Sequence, residues 1–217
     1  MAVARRLASL TRDSLDELPE PCRSCTRWEQ PAVQRAQSEE EGTSAEAKAA
    51  WLSGTLLDWG SCGLVVRVDG VVAGYAVYAP PAYLPGLAAY PTAPVAPDAV
   101  ALAALRVEPE FGGRGLARML VQGMAADLAR RGVKAVEAIA SAHGDQPCLV
   151  PADFLLAVGF TTARPHPRTP RMRLDLRSSV AWREDVVEAA LDRLFGGRRR
   201  MPALHRDDPT AGPTPTG

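Results

Sequence analysis

The densest concentration of chemistry in the chain is Gly112-Gly113-Arg114-Gly115, followed directly by Leu116 and Ala117. Backbone N–H groups at a helix N-terminus have no intrahelical partner and carry the positive end of the helix dipole, so they attract a phosphate when side chains leave room for it. Gly112, Gly113 and Gly115 leave that room, and Arg114 adds a cation able to reach the same oxygens. Three glycines in four positions exceed what a change of direction needs, so anion binding is the favoured reading over a plain turn. The second cluster is Cys22-Arg23-Ser24-Cys25, whose spacing suits a zinc ligand pair or a redox dithiol. Cys62, Cys148 and His143 can complete a ligand set only through folding, because no second C-x-x-C or H-x-x-x-H follows. Structural thiols are therefore preferred to a metal site.

The glycine turn has meaning only if a strand feeds it and a helix leaves it. Residues 99–107 are apolar at nearly every position, as in a central strand covered on both faces, and Pro109 ends the run. Leu116, Leu120, Met124 and Leu128 recur every four residues, which predicts an amphipathic helix over 115–131 stopped at Gly132. Residues 133–140 supply the next strand. Neither of the two common phosphate motifs fits: G-x-x-x-x-G-K-[ST] is absent, and a Rossmann fingerprint belongs after the first strand of a parallel unit. Here a hairpin comes first, with runs 64–68 and 71–77 flanking Asp69-Gly70.

Upstream, residues 3–9 read as a first strand, and Thr11 caps a short helix through Leu15 and Leu18 that Pro19 stops. The polar stretch 38–42 reads as a loop. Ser44 opens a helix in which Trp51, Leu52, Thr55, Leu56 and Trp59 recur at helical spacing. Residues 80–97 hold six prolines with Tyr83 and Tyr90, and read as a long loop of the kind that often binds ligands. Late in the chain come a short helix over 151–158, strands near 160–163 and 171–176, and an amphipathic helix carrying Trp182, Val186, Leu191 and Phe195. That helix covers either the domain or a second subunit, which leaves a homodimer open. Arg198-Arg199-Arg200 and the Pro/Thr/Gly-rich end read as a solvated, disordered tail.

The bulk composition narrows the partners. In a chain of 217 residues, 25 Lys plus Arg balance 25 Asp plus Glu, so no global field draws it to nucleic acid or to an anionic membrane. The first ten residues lack the apolar stretch of a signal peptide, and no run is long enough to span a bilayer, so a cytoplasmic location is expected.

The run Leu105-Arg106-Val107-Glu108-Pro109-Glu110-Phe111-Gly112-Gly113-Arg114-Gly115-Leu116-Ala117 resembles the strand and pyrophosphate loop of GNAT acetyltransferases, whose motif is [QR]-x-x-G-x-[GA]. Gly115 and Ala117 match it, and Gly112 stands where Gln or Arg is usual. Phe154 to Phe160, closing in Gly159-Phe160, resembles the family's late helix. The resemblance extends over 3–176 and implies an α/β architecture, a central mixed sheet of about six to seven strands flanked by helices. The expected organisation is an acetyltransferase domain over 1–177, a helix over 178–197 and the tail over 198–217. It further implies an acetyl-CoA site: Leu105, Arg106 and Val107 offer backbone contacts to the pantetheine and thioester, and Gly112, Gly113, Arg114, Gly115, Leu116 and Ala117 hold the pyrophosphate. Direct transfer of the acetyl group to a primary amine follows. The tyrosine that many members use as general acid falls at Leu155, so the resemblance names no catalytic acid. Cys148, Tyr78, Tyr83 and Tyr90 are stand-ins for it, and Asp98, Glu108 and Glu137 are unranked base candidates. A non-catalytic acetyl-CoA sensor is the alternative that the missing tyrosine motivates.

Overall fold

In the computed structural model, residues 4–176 are described; the C-terminal helix and tail expected from the sequence lie outside them. The elements run β1 (Arg5–Ser9), α1 (Arg12–Asp16), α2 (Ala32–Glu40), α3 (Ser44–Asp58), β2 (Gly63–Val68) and β3 (Val71–Ala79). They continue with β4 (Ala99–Val107), α4 (Leu116–Arg130), β5 (Ala135–Ser141), β6 (Val150–Pro151), α5 (Ala152–Ala157), β7 (Thr161–Arg164) and β8 (Arg171–Asp175). One eight-stranded mixed sheet has the order β1-β2-β3-β4-β5-β8-β7, with the two-residue β6 paired to β5 beside this path. The expected six to seven strands form the path, and β6 is the addition.

The β2–β3 hairpin turns at Asp69 and Gly70, both at positive φ (49° and 90°), as the favoured two-residue turn requires. Strand β4 alternates between the two faces. Val100 and Leu102 join a core with Leu116, Leu120, Met124 and Leu128 of α4 and with Leu155 and Val158 around α5. Ala99, Ala101 and Ala103 join the opposite core with Leu15, Ala49, Leu52, Trp28 and Leu149. A central strand buried on both faces is thus what its uninterrupted apolar run specified.

Two expectations change. Residues 38–42 are not simply a loop, because α2 runs to Glu40. Its polar composition hid it: Ser38 is the one residue of this helix that is buried, so no apolar stripe marks it. Residues 80–97 are not structureless either. They carry 3-10 turns at Pro81–Tyr83 and Pro85–Ala89, and Leu84, Leu87 and Val95 are buried in the second core.

The sheet changes character between β4 and β5. The two strands are parallel and pair only through Ala99↔Ala135, Val100↔Val136 and Ala101↔Glu137. On the other side of β4, Val77 faces Ala104 and Tyr78 faces Leu102, so Ala103 is an extra residue inserted in β4. An insertion of this kind bends and twists the strand that carries it. Beyond Ala101, β4 therefore stays with β3 while its ladder with β5 has ended. The β4 edge from Leu102 to Val107 is left beside an opening in the sheet.

Candidate active site

Strand β4 delivers the chain to the glycine loop through a 3-10 turn at Pro109–Phe111. Gly115, at φ 76° and ψ 9°, is the N-cap of α4, and no side chain caps the helix. The first-turn N–H groups of a 15-residue helix therefore lack a capping side chain. Gly113 (φ 69°) and Gly115 are glycines for conformational reasons, since left-handed backbone is costly for other residues. Both also border open space: a Cβ built on either meets nothing within 4 Å. The turn and the open cradle coincide. Arg114 is exposed, its guanidinium 5.6 Å from the centre of the Phe111 ring, and its carbonyl accepts a 3.1 Å hydrogen bond from Arg5 Nη1. Arg118 Nη2 donates to the Ala157 carbonyl at 3.0 Å, fastening the first turn of α4 to the end of α5.

Of the residues assigned to the cradle, Leu116 is a special case. Its side chain is 1% exposed and belongs to the core, so only its backbone is available there. Leu105, Arg106 and Val107 are half-buried along the β4 edge. Arg106 forms an ion pair with Glu108 (2.8 Å) and is held above its ordinary pKa mainly by that hydrogen bond.

On the second-core side of this edge lies a cavity of about 130 Å³ lined by Ala104, Leu105 and Arg106 of β4, Tyr75 of β3, Lys48 of α3, and Cys22, Cys25, Trp28, Cys148 and Leu149. Folding thus gathers three of the four cysteines at the β4 edge, although 123 residues of sequence separate Cys25 from Cys148. Cys22 is hydrogen-bonded to the Tyr75 hydroxyl, and Cys25 to Cys148. The C-x-x-C pair therefore faces two different partners, and among the described residues no three His, Cys, Asp or Glu side chains are grouped as a metal would need. The hydrogen bond from Cys148, aided by the Arg27 backbone N–H and the Lys48 ammonium against the opposing effect of burial, lowers the Cys25 pKa to about 6. The same hydrogen bond, with burial, pushes the Cys148 thiol up. Cys148 also adopts φ 67°, a left-handed conformation unusual for a non-glycine residue. Lys48 is ion-paired with Glu29; both are nearly fully buried, and the ammonium lies 5.6 Å from the Trp51 ring centre.

The other candidates lie elsewhere. Leu155 is fully buried in the first core. Tyr78 is fully buried, pushed up in pKa by burial first, and donates to Asp127 at 3.2 Å. Tyr90 stacks on Trp28 at 5.3 Å and accepts from Arg27 Nε at 2.9 Å, while the Tyr83 carbonyl accepts from Trp51 Nε1 at 2.7 Å. Asp98 pairs with Arg173 at 3.0 Å. Glu137, 1% exposed, lies 3.2 Å from both Arg171 and Arg173 and accepts from the Ala96 N–H at 3.0 Å. Among the proposed stand-ins for the acid, Cys148 alone lines the cavity. Sequence reasoning missed Tyr75 and Lys48, which read as one residue of an apolar strand and one charge on a helix.

A strand parting from its parallel neighbour, followed by a glycine-lined helix start, is the arrangement to set against known proteins. The model of the acetyltransferase (GNAT) family matches residues 16–148. The chain belongs to this family. No curated protein matches the sequence. Among solved structures, the GNAT chain is similar to PaiA N-acetyltransferase from Thermoplasma acidophilum in complex with coenzyme A, at 14% identity and TM-score 0.54, covering 81% of this chain and 99% of that one. It is also similar to an N-acetyltransferase from Staphylococcus aureus Mu50, at 14% identity and TM-score 0.54 over 80% and 99% of the two chains. A third is YncA from Salmonella typhimurium, described as a putative acetyltransferase with its cofactor acetyl-CoA, at 17% identity and TM-score 0.50 over 81% and 95%. At these identities the likeness is one of fold. No helix among the described residues of this GNAT protein is long and apolar enough to cross a membrane.

Proposed function

We propose that this GNAT protein transfers an acetyl group from acetyl-CoA to a primary amine. The observation that carries the reading is the continuity of the unpaired β4 edge with the uncapped, glycine-lined N-terminus of α4. The fit of the donor rests on two features of this chain: backbone hydrogen-bonding groups along the opening, and a cradle where a Cβ added at Gly113 or Gly115 meets nothing within 4 Å. Gly112, Gly113, Arg114, Gly115, Leu116 and Ala117 hold the pyrophosphate through backbone N–H groups and the Arg114 cation. Leu105, Arg106 and Val107 align the pantetheine arm and orient the thioester carbonyl by backbone hydrogen bonds. Acetyl-CoA supplies the activated acyl group. Two of the solved relatives carry coenzyme A or acetyl-CoA, which supports this choice of donor.

The test is a thermal-shift titration with acetyl-CoA and CoA. At about 100 times its dissociation constant a ligand stabilises the protein by about 2.7 kcal/mol, enough to raise Tm by several degrees. Arg114→Glu places an anion beside the pyrophosphate at an exposed position and abolishes most of the shift while leaving the unliganded Tm unchanged. Gly115→Glu is the weaker test, because its φ of 76° strains any side chain there. No shift in the folded wild type overturns the reading. Release of free CoA with an amine panel then tests transfer. Leu155, buried where the family tyrosine stands, favours the second reading of a non-catalytic acetyl-CoA sensor, for which binding occurs without CoA release.

A further inference from the structure

The cavity at the β4 edge contains a donor that the fold leaves unused. Trp28 lines it at 3% exposure, and the indole Nε1–H is buried without a hydrogen-bond partner among the described residues. Leaving a buried donor unpaired is costly, so an unpaired one at a cavity wall points to a ligand that accepts from it. We propose that this cavity is the acceptor site and that it takes a small α-amino acid, whose carboxylate is bound by the Trp28 indole N–H and the Lys48 and Arg106 cations while its amine faces the thioester. The assignment deepens the acetyl-CoA reading above and rests on it.

The charges of the lining select an anion. Lys48 and Arg106 line the cavity, and no Asp or Glu does. Their carboxylate partners stand behind them: Glu29 accepts one of the three N–H donors of the Lys48 ammonium, and Glu108 accepts the Arg106 Nε–H at 2.8 Å. Leu105 and Val107 pack toward the first core and Ala104 toward the second, so the alternation of β4 turns Arg106, beside its cross-strand neighbour Tyr75, to the cavity side. With Cys25 counted as a thiolate, the lining still carries two cations to one anion. A polyamine or a lysine side chain would add only positive charge here, whereas a carboxylate pairs with it.

Size and place agree. The cavity volume of about 130 Å³ is roughly four times the share of one water molecule in the liquid, room for a small amino acid and not for an extended polyamine. Its Ala104, Leu105 and Arg106 wall lies beyond the last β4–β5 pair and overlaps the stretch that aligns the thioester in the reading above. A carboxylate held by Trp28 and Lys48 leaves the amine one carbon away to approach that wall. The acceptor nitrogen forms the N–C bond as the C–S bond of the thioester breaks, and the proton it sheds balances the departing CoA thiolate.

The experiment measures release of free CoA by the full-length protein at saturating acetyl-CoA with glycine, alanine, alaninamide and putrescine, beside the Tm shift with CoA alone. Alaninamide has the skeleton of alanine without the anion, and stands also for a peptide N-terminus. The expected result is kcat/KM for alanine about ten- to a hundredfold above that for alaninamide, the range for hydrogen bonds to a charged group. Trp28→Phe removes the indole N–H and keeps a ring against Tyr90, and the double variant Glu29→Gln with Lys48→Gln removes the cation without stranding its buried partner. Each keeps the CoA shift, which shows that it folds, and each loses most of the preference for alanine over alaninamide through a raised KM for alanine. Three results overturn the assignment and leave the acetyl-CoA reading standing: a CoA shift with no turnover of either amino acid, alaninamide or putrescine used as well as alanine, or an unchanged preference in both folded variants. Absence of the CoA shift in wild type overturns both.

Discussion

Cys62 and Cys25 are the same functional group in opposite surroundings. Cys62 is fully buried, and burial pushes its pKa to about 12, so it stays a protonated thiol across the working pH range. Cys25 receives hydrogen bonds from Cys148 and the Arg27 N–H, and ionises at about 6. At pH 7 its thiolate exceeds its thiol by roughly tenfold, since each pH unit past the pKa is a factor of ten. Limited alkylation with iodoacetamide at pH 7, read by peptide mapping, should label Cys25 well before Cys62. The sign follows from the lowered pKa: labelling of Cys25 falls as pH drops through about 6, whereas an ordinary thiol is already slow there. Equal labelling of the two sites would contradict the arrangement described. At this scale the sequence showed a C-x-x-C pair and a distant Cys148, and nothing in the spacing linked Cys25 to the latter.

The element that holds this environment is the segment after Cys25, and it is clamped by the 3-10 turn at Pro85–Ala89. Gly86 donates its N–H to the Trp28 carbonyl at 2.9 Å, and a Cβ added to it would sit 2.1 Å from the Arg27 carbonyl oxygen and 2.8 Å from the Trp28 Cα. Backbone atoms cannot yield as a flexible side chain does. Gly86→Ala should therefore lower stability by about 1–3 kcal/mol, the usual range for forced overpacking, measured by urea denaturation. It should also raise the alkylation midpoint of Cys25, because displacing Arg27 weakens the N–H bond to the sulfur. Legibility was uneven among elements. The Asp69-Gly70 hairpin and the 99–107 strand were plain because turn chemistry and two-sided burial leave a local mark. Helix α2 was missed because it buries almost nothing, and the packing of Leu84, Leu87 and Val95 is invisible in a proline-rich run.

Across the whole molecule, Glu137 ties distant parts together. It stands at the last β4–β5 pair, opposite Ala101, where the opening begins. Its carboxylate binds Arg173 of β8 and the Ala96 N–H, and lies 3.2 Å from Arg171 Nε outside hydrogen-bonding alignment. The base candidate thus proves to be a buried structural anion. Removing one partner of a buried pair leaves uncompensated charge, so Glu137→Ala should cost about 3–5 kcal/mol in urea denaturation. Its loss should also loosen the 91–97 segment, read as faster hydrogen exchange at the Ala96 N–H than in wild type.

The sequence alone determined the order of the seven main strands, the central place of β4 and the glycine-lined start of α4. Each of these is set locally, by apolar periodicity, by a turn that needs positive φ, or by a helix whose first N–H groups have no partners. The tertiary structure decided which face each chemically active side chain occupies and whom it meets. It placed the extra residue Ala103 that parts β4 from β5, sent Leu155 into the core, and made Glu137 an ion-pair hub. It also brought Cys25 and Cys148 to one cavity. Those outcomes depend on contacts between residues tens to more than a hundred positions apart, whose energies are fixed only when both cores close.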